Sequence, residues 1–284
     1  MAESSRFPIL RSAYQNLTKS EQRIARYIMA YPEQMLEQTI ADVAKETDSS
    51  EITVSRFCKK LGYSGWQEVK RMVAAELSTG SGKVLQDIEN DDPTPVLAQK
   101  CFHALAEGLQ DTLSLLDYDA IDKAAQWLQD ARRVAVYGFG NSATVATDLV
   151  TRYVRLGLAI TAYADSHMQV TSAALLAPTD VVIAISHSGA STDLLHSVAV
   201  AKDCGAKVIA LTSYGQSPLA KLADLCLCGM GREVRYSSEA GASRLIHMAI
   251  GDVLYTRMAM NRPQLYQENM QKMRHQIQQK KSCP

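Results

Sequence analysis

The run Val181-Val-Ile-Ala-Ile-Ser-His-Ser-Gly-Ala-Ser-Thr192 decides how this chain folds. Five successive apolar residues, closed by a turn of serine and glycine, are typical of a strand that is buried on both faces of a parallel sheet. Four further apolar runs, over 134–137, 158–163, 207–211 and 225–228, are separated mostly by helical patterns. The sequence therefore predicts an α/β domain with a five-stranded parallel sheet flanked by helices.

The first 77 residues have a different pattern, with helical periodicity and no strand-like run. Thr18 and Glu21 have the spacing of a capping box, which predicts that a helix begins there. Two short helical patterns, over 39–46 and 51–61, are joined by the polar turn Thr47-Asp-Ser-Ser50. Two helices joined by a tight turn form a helix-turn-helix, so the sequence predicts an all-α domain of this type.

A linker is predicted between the two patterns. Small, polar and proline-containing residues occur at Ser78–Gly82 and again at Asp91–Pro95, and such residues mark connections between domains. We therefore expect a helix-turn-helix domain over residues 1–77, a linker over 78–95 and the α/β domain over 96–284.

The composition excludes some classes of protein and gives no direct hint of a partner. Lys and Arg number 30, as do Asp and Glu, so the 284-residue chain has no net charge. No apolar run approaches the roughly 18 residues of a membrane span, and the first residues lack the apolar stretch of a signal peptide. The cysteines lack the spacing of a zinc site. We expect a cytoplasmic protein with reduced thiols, no metal, no cofactor and no membrane partner.

The outward face of the second short helix is the candidate DNA-binding surface. Its apolar side chains Val54, Phe57, Cys58 and Leu61 form one stripe, which must face the core. The second helix of a helix-turn-helix lies in the major groove, where arginine reads guanine, hydroxyls reach bases or phosphates, and lysine contacts phosphate. The candidate DNA contacts are Ser49, Ser50, Thr53, Arg56, Lys59 and Lys60.

A helical bundle that serves only for dimerisation is the alternative for the N-terminal part. Charged helix faces are often merely solvated, and residues 1–80 hold nearly equal numbers of basic and acidic side chains. This balance weakens the electrostatic argument, because non-specific affinity for DNA comes mainly from cations on phosphates.

Two turns of the α/β part have the chemistry of a phosphate site. Gly138-Phe-Gly-Asn-Ser142 follows the first predicted strand, and Ser186-His-Ser-Gly-Ala-Ser191 follows the third. Both lie where open α/β sheets bind ligands, and both open a helix whose free N–H groups attract anions. Ordinary capped turns are one alternative. A dinucleotide site is another, although the third glycine of that fingerprint is missing.

These residues also carry a resemblance to known families. The two serine-rich turns together resemble the SIS (sugar isomerase) domain. The stretch Val54-Ser-Arg-Phe-Cys-Lys-Lys-Leu-Gly-Tyr-Ser-Gly-Trp66 resembles the helix-turn-helix of RpiR-type regulators. The two halves in this order cover nearly the whole chain, and their combination is more specific than either motif.

The resemblance implies a transcriptional regulator rather than an enzyme. It implies a homodimer or homotetramer that binds palindromic double-stranded DNA and responds to a phosphorylated sugar, with sugar catabolism genes as targets. It places a phosphate among hydroxyl groups and glycines of the two turns, with His187 at a variable position and Glu239 where SIS isomerases have a functional acid. The implied ligand residues are Gly140, Ser142, Ser186, His187, Ser188, Gly189, Ser191 and Glu239.

Two other functions stay open at this point. A sugar-phosphate isomerase would need a base near the ligand, which Glu239 with His187 or His167 could supply. A sugar-phosphate-binding module that acts on a protein partner is the second. An enzyme has no need of residues 1–80, whereas a regulator does.

Overall fold

A computed structural model describes residues 7–79, 88–234, 236 and 240–281. Two compact units divide the chain. The first holds the described residues up to Ala104 with Val234 and Tyr236, and the second holds the other described residues. Residues 80–87 of the predicted linker lie outside the described residues, so the predicted domain limits stay predictions.

Helices build the described part of the first unit, as the sequence predicts. Pro32 separates two of them, since proline suits the first turn of a helix but not its interior. The core contains Val54, Phe57 and Cys58 of the predicted stripe, all fully buried, and the fourth member, Leu61, packs against it half-buried. The helices are α1 (Pro8–Ala13), α2 (Lys19–Ala30), α3 (Pro32–Glu37), α4 (Ile40–Glu46), α5 (Glu51–Lys60), α6 (Trp66–Thr79) and α7 (Thr94–Leu115), within which the boundary of the units falls.

The turn between α4 and α5 is held by an arginine of α2. Arg23 donates from Nε to the carbonyl oxygen of Thr47 at 2.9 Å and from Nη2 to that of Asp48 at 2.5 Å. Asp48 has φ +47°, a left-handed conformation that ends α4. Arg23 of α2 therefore stabilises the turn of the helix-turn-helix through contacts within the same unit.

A second charged contact joins α2 to the end of α5. Thr18 and Glu21 form the predicted capping box, and Glu21 also accepts a bond of 2.8 Å from Nζ of Lys60. Burial alone would raise the pKa of the Glu21 carboxyl, but the bonds from Lys60 and Thr18 outweigh it, so the pKa lies below its ordinary value. The ionised form is thus the form that stabilises this unit.

The second unit contains the predicted five-stranded parallel sheet, in the order β2-β1-β3-β4-β5. β2 is shorter than the predicted run 158–163. The elements are α8 (Tyr118–Asp130), β1 (Val134–Tyr137), α9 (Asn141–Tyr153), β2 (Ile160–Tyr163), α10 (Ser166–Ala173), β3 (Val181–Ser186), α11 (Thr192–Asp203), β4 (Lys207–Thr212), α12 (Pro218–Leu222), β5 (Leu225–Cys228), α13 (Gly241–Asn261) and α14 (Pro263–Lys281).

Helices cover both faces of this sheet. Alternate strand residues point to opposite faces, so Val181, Ile183 and Ile185 pack with α8, α9 and α13, whereas Val182 and Ala184 pack with α10, α11 and α12. All six residues of β3 are buried. This burial is the reason that β3 reads as a continuous apolar run and not as an alternating one.

Two features that would place a protein in a particular class are absent from the described residues. None of their helices combines the length and apolarity that crossing a bilayer requires. Their His, Cys, Asp and Glu side chains also form no group of three or more that could hold a metal ion.

Glu21→Gln tests the ionised contact with Lys60. Glutamine keeps the shape and loses the charge, so we expect a loss of about 1 kcal/mol at neutral pH. Because the folded pKa is depressed, the advantage of wild type is complete above the ordinary carboxyl pKa and disappears as the pH falls through the folded pKa. Hydrogen exchange of α2 and α5 amides in the full chain measures both. A wild-type advantage that persists in acid would contradict this account.

Candidate functional site

The two serine-rich turns meet at one edge of the sheet. β1 pairs with β2 on one side and with β3 on the other, so the chain reverses its direction of travel across the sheet at β1. Ligands of open α/β sheets bind at such a switch point, beyond the carboxyl ends of the strands. The strand order therefore brings together the turns after β1 and β3.

The first turn, Gly138–Gly140, lets the backbone enter α9 abruptly. A Cβ on Gly138 would come within 2.8 Å of the carbonyl oxygen of Ser142, so this close approach requires glycine. Gly140 has φ +52° and precedes the first residue of α9, Asn141. The N–H of Ser142 bonds to Phe139, which closes the turn. Asn141 and Ser142 are left half-buried at the helix N-terminus.

The second turn is held by its own hydroxyl groups and by β4. The buried Ser186 hydroxyl accepts the N–H of Gly189 at 3.1 Å, and the exposed Ser188 hydroxyl accepts that of Ala190 at 3.3 Å. Gly189 has φ +61°, and a Cβ there would overlap the buried side chain of Ser217. Ser191 precedes α11, and its side chain makes no capping bond. The turn is thus fixed before any ligand arrives.

A chain of polar side chains connects His187 to the interior. Nδ1 of His187 lies 2.9 Å from the Ser213 hydroxyl, which lies 3.3 Å from Nε2 of His247. The same Nε2 lies 3.0 Å from the carbonyl oxygen of Gly229. A carbonyl oxygen can only accept, so Nε2 of His247 carries the hydrogen.

This arrangement limits how the Ser213 hydroxyl can bond. Burial lowers the pKa of His247 to about 4, which keeps that ring neutral at pH 7. Because Nε2 of His247 carries a hydrogen, the Ser213 hydroxyl cannot donate to it, and Nδ1 of His187 lies within hydrogen-bond distance of that hydroxyl.

A narrow cleft lies among these elements. Its interior has no room for a water-sized molecule, so a whole sugar phosphate would require the cleft to widen. Its lining contains no carboxylate among the residues that the structure describes. The lining residues are Asn141, Ser142, Val145, His187, Ala240, Arg244 and His247.

Arg244 gives the cleft its cationic group. Its Nε is buried and makes no hydrogen bond within the described chain. The N-terminus of α13 is already neutralised, since Glu233 accepts the N–H groups of Ala242 and Ser243 at 2.9 Å each. A buried N–H without a partner is costly, so the guanidinium of Arg244 fits an anionic oxygen better than a neutral group.

The structure divides the predicted ligand residues into groups. Ser142 and His187 line the cleft, Ser186 and Gly189 shape the second turn, and Gly140 shapes the first. Ser188 and Ser191 belong to the second turn and are absent from the cleft lining. Glu239 lies outside the described residues.

Three polar lining residues are absent from the predicted ligand set, namely Asn141, Arg244 and His247. Arg244 and His247 come from α13, more than fifty residues after the second turn. Their three-residue spacing puts both side chains on one face of that helix. This spacing was the available signal, but it does not reveal which strand ends the helix passes.

On the helix-turn-helix, α5 presents a mixed surface. Arg56, Lys59 and Lys60 are exposed, whereas Ser49 and Thr53 are half-buried. The hydroxyls make local bonds: Ser50 accepts the N–H of Thr53 and contacts its hydroxyl, and Ser49 contacts that of Thr47. Lys60 reaches Glu21, as described. The predicted DNA contacts thus differ in their exposure and in whether their polar groups already bond within the chain.

Comparison with known proteins gives the same two halves. The family model of the helix-turn-helix domain, rpiR family, matches residues 6–80, and that of the SIS domain matches residues 127–239. An HTH-type transcriptional regulator of Caldanaerobacter subterraneus subsp. tengcongensis is 34% identical over 254 residues, which cover 89% of this chain and 90% of that protein.

Solved structures agree with these matches. The Vibrio vulnificus NanR protein complexed with ManNAc-6P is 25% identical, with a TM-score of 0.61 over 95% of this chain and 98% of that one. The sugar isomerase domain of an RpiR transcription factor from Sphaerobacter thermophilus is 27% identical, with a TM-score of 0.58 over 63% of this chain and 98% of that one.

Gly189→Ala tests the close contact of the second turn. The new methyl must adopt a left-handed φ and displace Ser217, so we expect a loss of about 2–4 kcal/mol in the free energy of unfolding. Gly157→Ala is the matched control, because Gly157 is also in the left-handed region (φ +84°) of the same unit but meets only the end of the Asn269 side chain; it should cost about 1–2 kcal/mol. Thermal unfolding of the full chain measures both, and equal losses would contradict the overlap with Ser217.

Proposed function

The chain belongs to the rpiR family of helix-turn-helix transcriptional regulators, and we propose that a phosphorylated sugar in its SIS domain controls its binding to operator DNA. The proposed operator is a palindrome in double-stranded DNA, bound in the cytoplasm by a homodimer or homotetramer. The proposed targets are genes of sugar catabolism. A phosphorylated sugar would then be a metabolite of the pathway that the protein regulates.

The unpaired Nε of Arg244 is the observation that carries the phosphosugar proposal. It is a buried donor in a cleft that also contains the Ser142 hydroxyl and the His187 ring. A phosphate oxygen supplies what this nitrogen lacks, and charge-assisted bonds of this kind are about twice as strong as neutral ones. The similar NanR protein is complexed with ManNAc-6P in its structure, which makes this compound the first ligand to test.

The DNA proposal depends on α5. As the second helix of the helix-turn-helix it would enter the major groove with its N-terminal residues towards the bases. Arg56 is the proposed reader of guanine, and Lys59 is the proposed phosphate contact. The proposed surface also includes four residues that already bond within the chain, namely Ser49, Ser50, Thr53 and Lys60.

Control by the ligand requires a difference in affinity. A sugar phosphate changes DNA binding only if it binds the DNA-bound and the free arrangements of the protein unequally. By the same linkage, operator DNA must change the affinity for the sugar phosphate by an equal factor. We propose that the protein acts as a sensor and not as an isomerase, in keeping with the relatives that are named as regulators.

A selection from a random DNA library, with and without a panel of sugar phosphates that includes ManNAc-6P, tests this function. We expect enrichment of a palindromic sequence whose recovery changes with one phosphosugar. Failure to enrich any sequence would refute the DNA-binding proposal. Enrichment that no sugar phosphate changes would refute the control by the ligand, and interconversion of a phosphosugar by the protein would favour the isomerase.

Arg244→Met tests the proposed phosphate contact. Methionine fills similar space without charge, so we expect affinity for the phosphosugar to fall roughly tenfold or more, as loss of a charged hydrogen bond implies. The free energy of unfolding should not fall, because the variant removes an unpaired buried donor. Calorimetric titration and thermal unfolding measure the two quantities.

Arg155→Met is the matched control, since Arg155 is an exposed arginine of the same unit. It should bind the phosphosugar as wild type does. Wild-type affinity in Arg244→Met, or an equal loss in both variants, would remove Arg244 from the proposed site.

A further inference from the structure

Ile52, the second residue of α5, is an exposed aliphatic side chain on a helix that otherwise presents polar groups. It leaves 66% of its surface accessible. Across α4 and α5, all of whose residues the structure describes, no other large apolar side chain is exposed to this degree. Its own helix buries Val54, Phe57 and Cys58 in the core, so Ile52 plays no part in that packing.

The neighbouring polar groups at the same end of α5 are engaged locally. Ser50 uses its hydroxyl to cap the helix and to contact Thr53. Arg56 follows Ile52 by four residues, one helical turn, so the two side chains share a face. Ile52 and Arg56 are therefore two outward side chains, after the exposed Glu51, near the end of α5 that would enter the groove first.

The size of the patch argues against a protein partner. A stable protein interface buries roughly 800 Å² on each side and has a well-packed apolar centre. Ile52 is a single aliphatic side chain whose exposed neighbours on α5, Glu51, Arg56 and Lys59, are charged. A partner that presents one methyl group within a polar and anionic surface fits a single exposed isoleucine among charged side chains better than a protein does.

We propose that Ile52 reads the 5-methyl group of a thymine in the operator. This inference rests on the proposed function, because it requires α5 in the major groove. Thymine is the base that presents a methyl group there, and apolar side chains recognise it by contact. Ile52 thus adds an apolar reading of an A·T pair to the reading of guanine proposed for Arg56, one helical turn further along.

Single deoxyuridine substitutions test this contact. Deoxyuridine pairs as thymidine does and lacks only the 5-methyl group. The full chain and its Ile52→Ala variant are titrated with the duplex recovered by the selection, in which each thymine is replaced in turn. At one position of each half-site, replacement should weaken wild type about fourfold, the equivalent of one buried methyl-sized group. The same replacement should leave the affinity of Ile52→Ala unchanged.

Two control variants make the result specific. Ile52→Val keeps a branched aliphatic side chain and should retain most of the sensitivity to deoxyuridine. Leu175→Ala removes an aliphatic side chain of similar exposure, 68%, from the second unit and should behave as wild type. Circular dichroism should give the same helix content for all variants, since neither side chain packs in a core.

The outcomes distinguish this inference from the function on which it rests. If no duplex is enriched, the proposed function fails and the inference fails with it. If a duplex binds but no thymine shows an effect that depends on residue 52, the inference alone is overturned. A loss in Ile52→Ala that is equal for all substituted duplexes, or a similar loss in Leu175→Ala, would also overturn it.

Discussion

The burial of β3 on both faces is the constraint on which the second unit depends. All six residues of this strand are inaccessible, and its neighbours β1 and β4 satisfy its backbone on both edges. A strand in this position cannot shift its register by one residue without exchanging the side chains of both cores. The turn that follows β3 is therefore delivered to one place, at the carboxyl edge of the sheet beside the turn after β1.

Neighbouring strands then complete the site. The segment after β4 bonds to the turn of β3 through backbone and side chains: Ser213 donates its N–H to His187, Leu219 donates to Gly189, and the Thr212 hydroxyl donates to His187. Such bonds fix a polar turn without a ligand, which lowers the ordering cost of binding. The half-buried Arg244 is the exception, since its buried Nε is unsatisfied within the described chain.

In the first unit, charged side chains also form stabilising contacts within the protein. The whole chain has no net charge, and several charged side chains support the helix-turn-helix from within it. Arg23 holds the turn, and Glu21 holds Lys60. Lys60 therefore offers a partner less net charge than an unpaired lysine would, because Glu21 offsets part of it. Net charge says little about such a surface, because local arrangement decides which cations face outward.

The sequence by itself determined the two classes of unit, the parallel sheet, the capping box and the serine-rich turns, because periodicity and turn chemistry are local properties of the chain. It also indicated the family, since both motifs appear in order. Only the tertiary structure decided the strand order, and with it which turns meet. It alone brought Arg244 and His247 of α13 to the cleft and paired Lys60 with Glu21. These features depend on contacts between residues distant in sequence, and no local pattern encodes them.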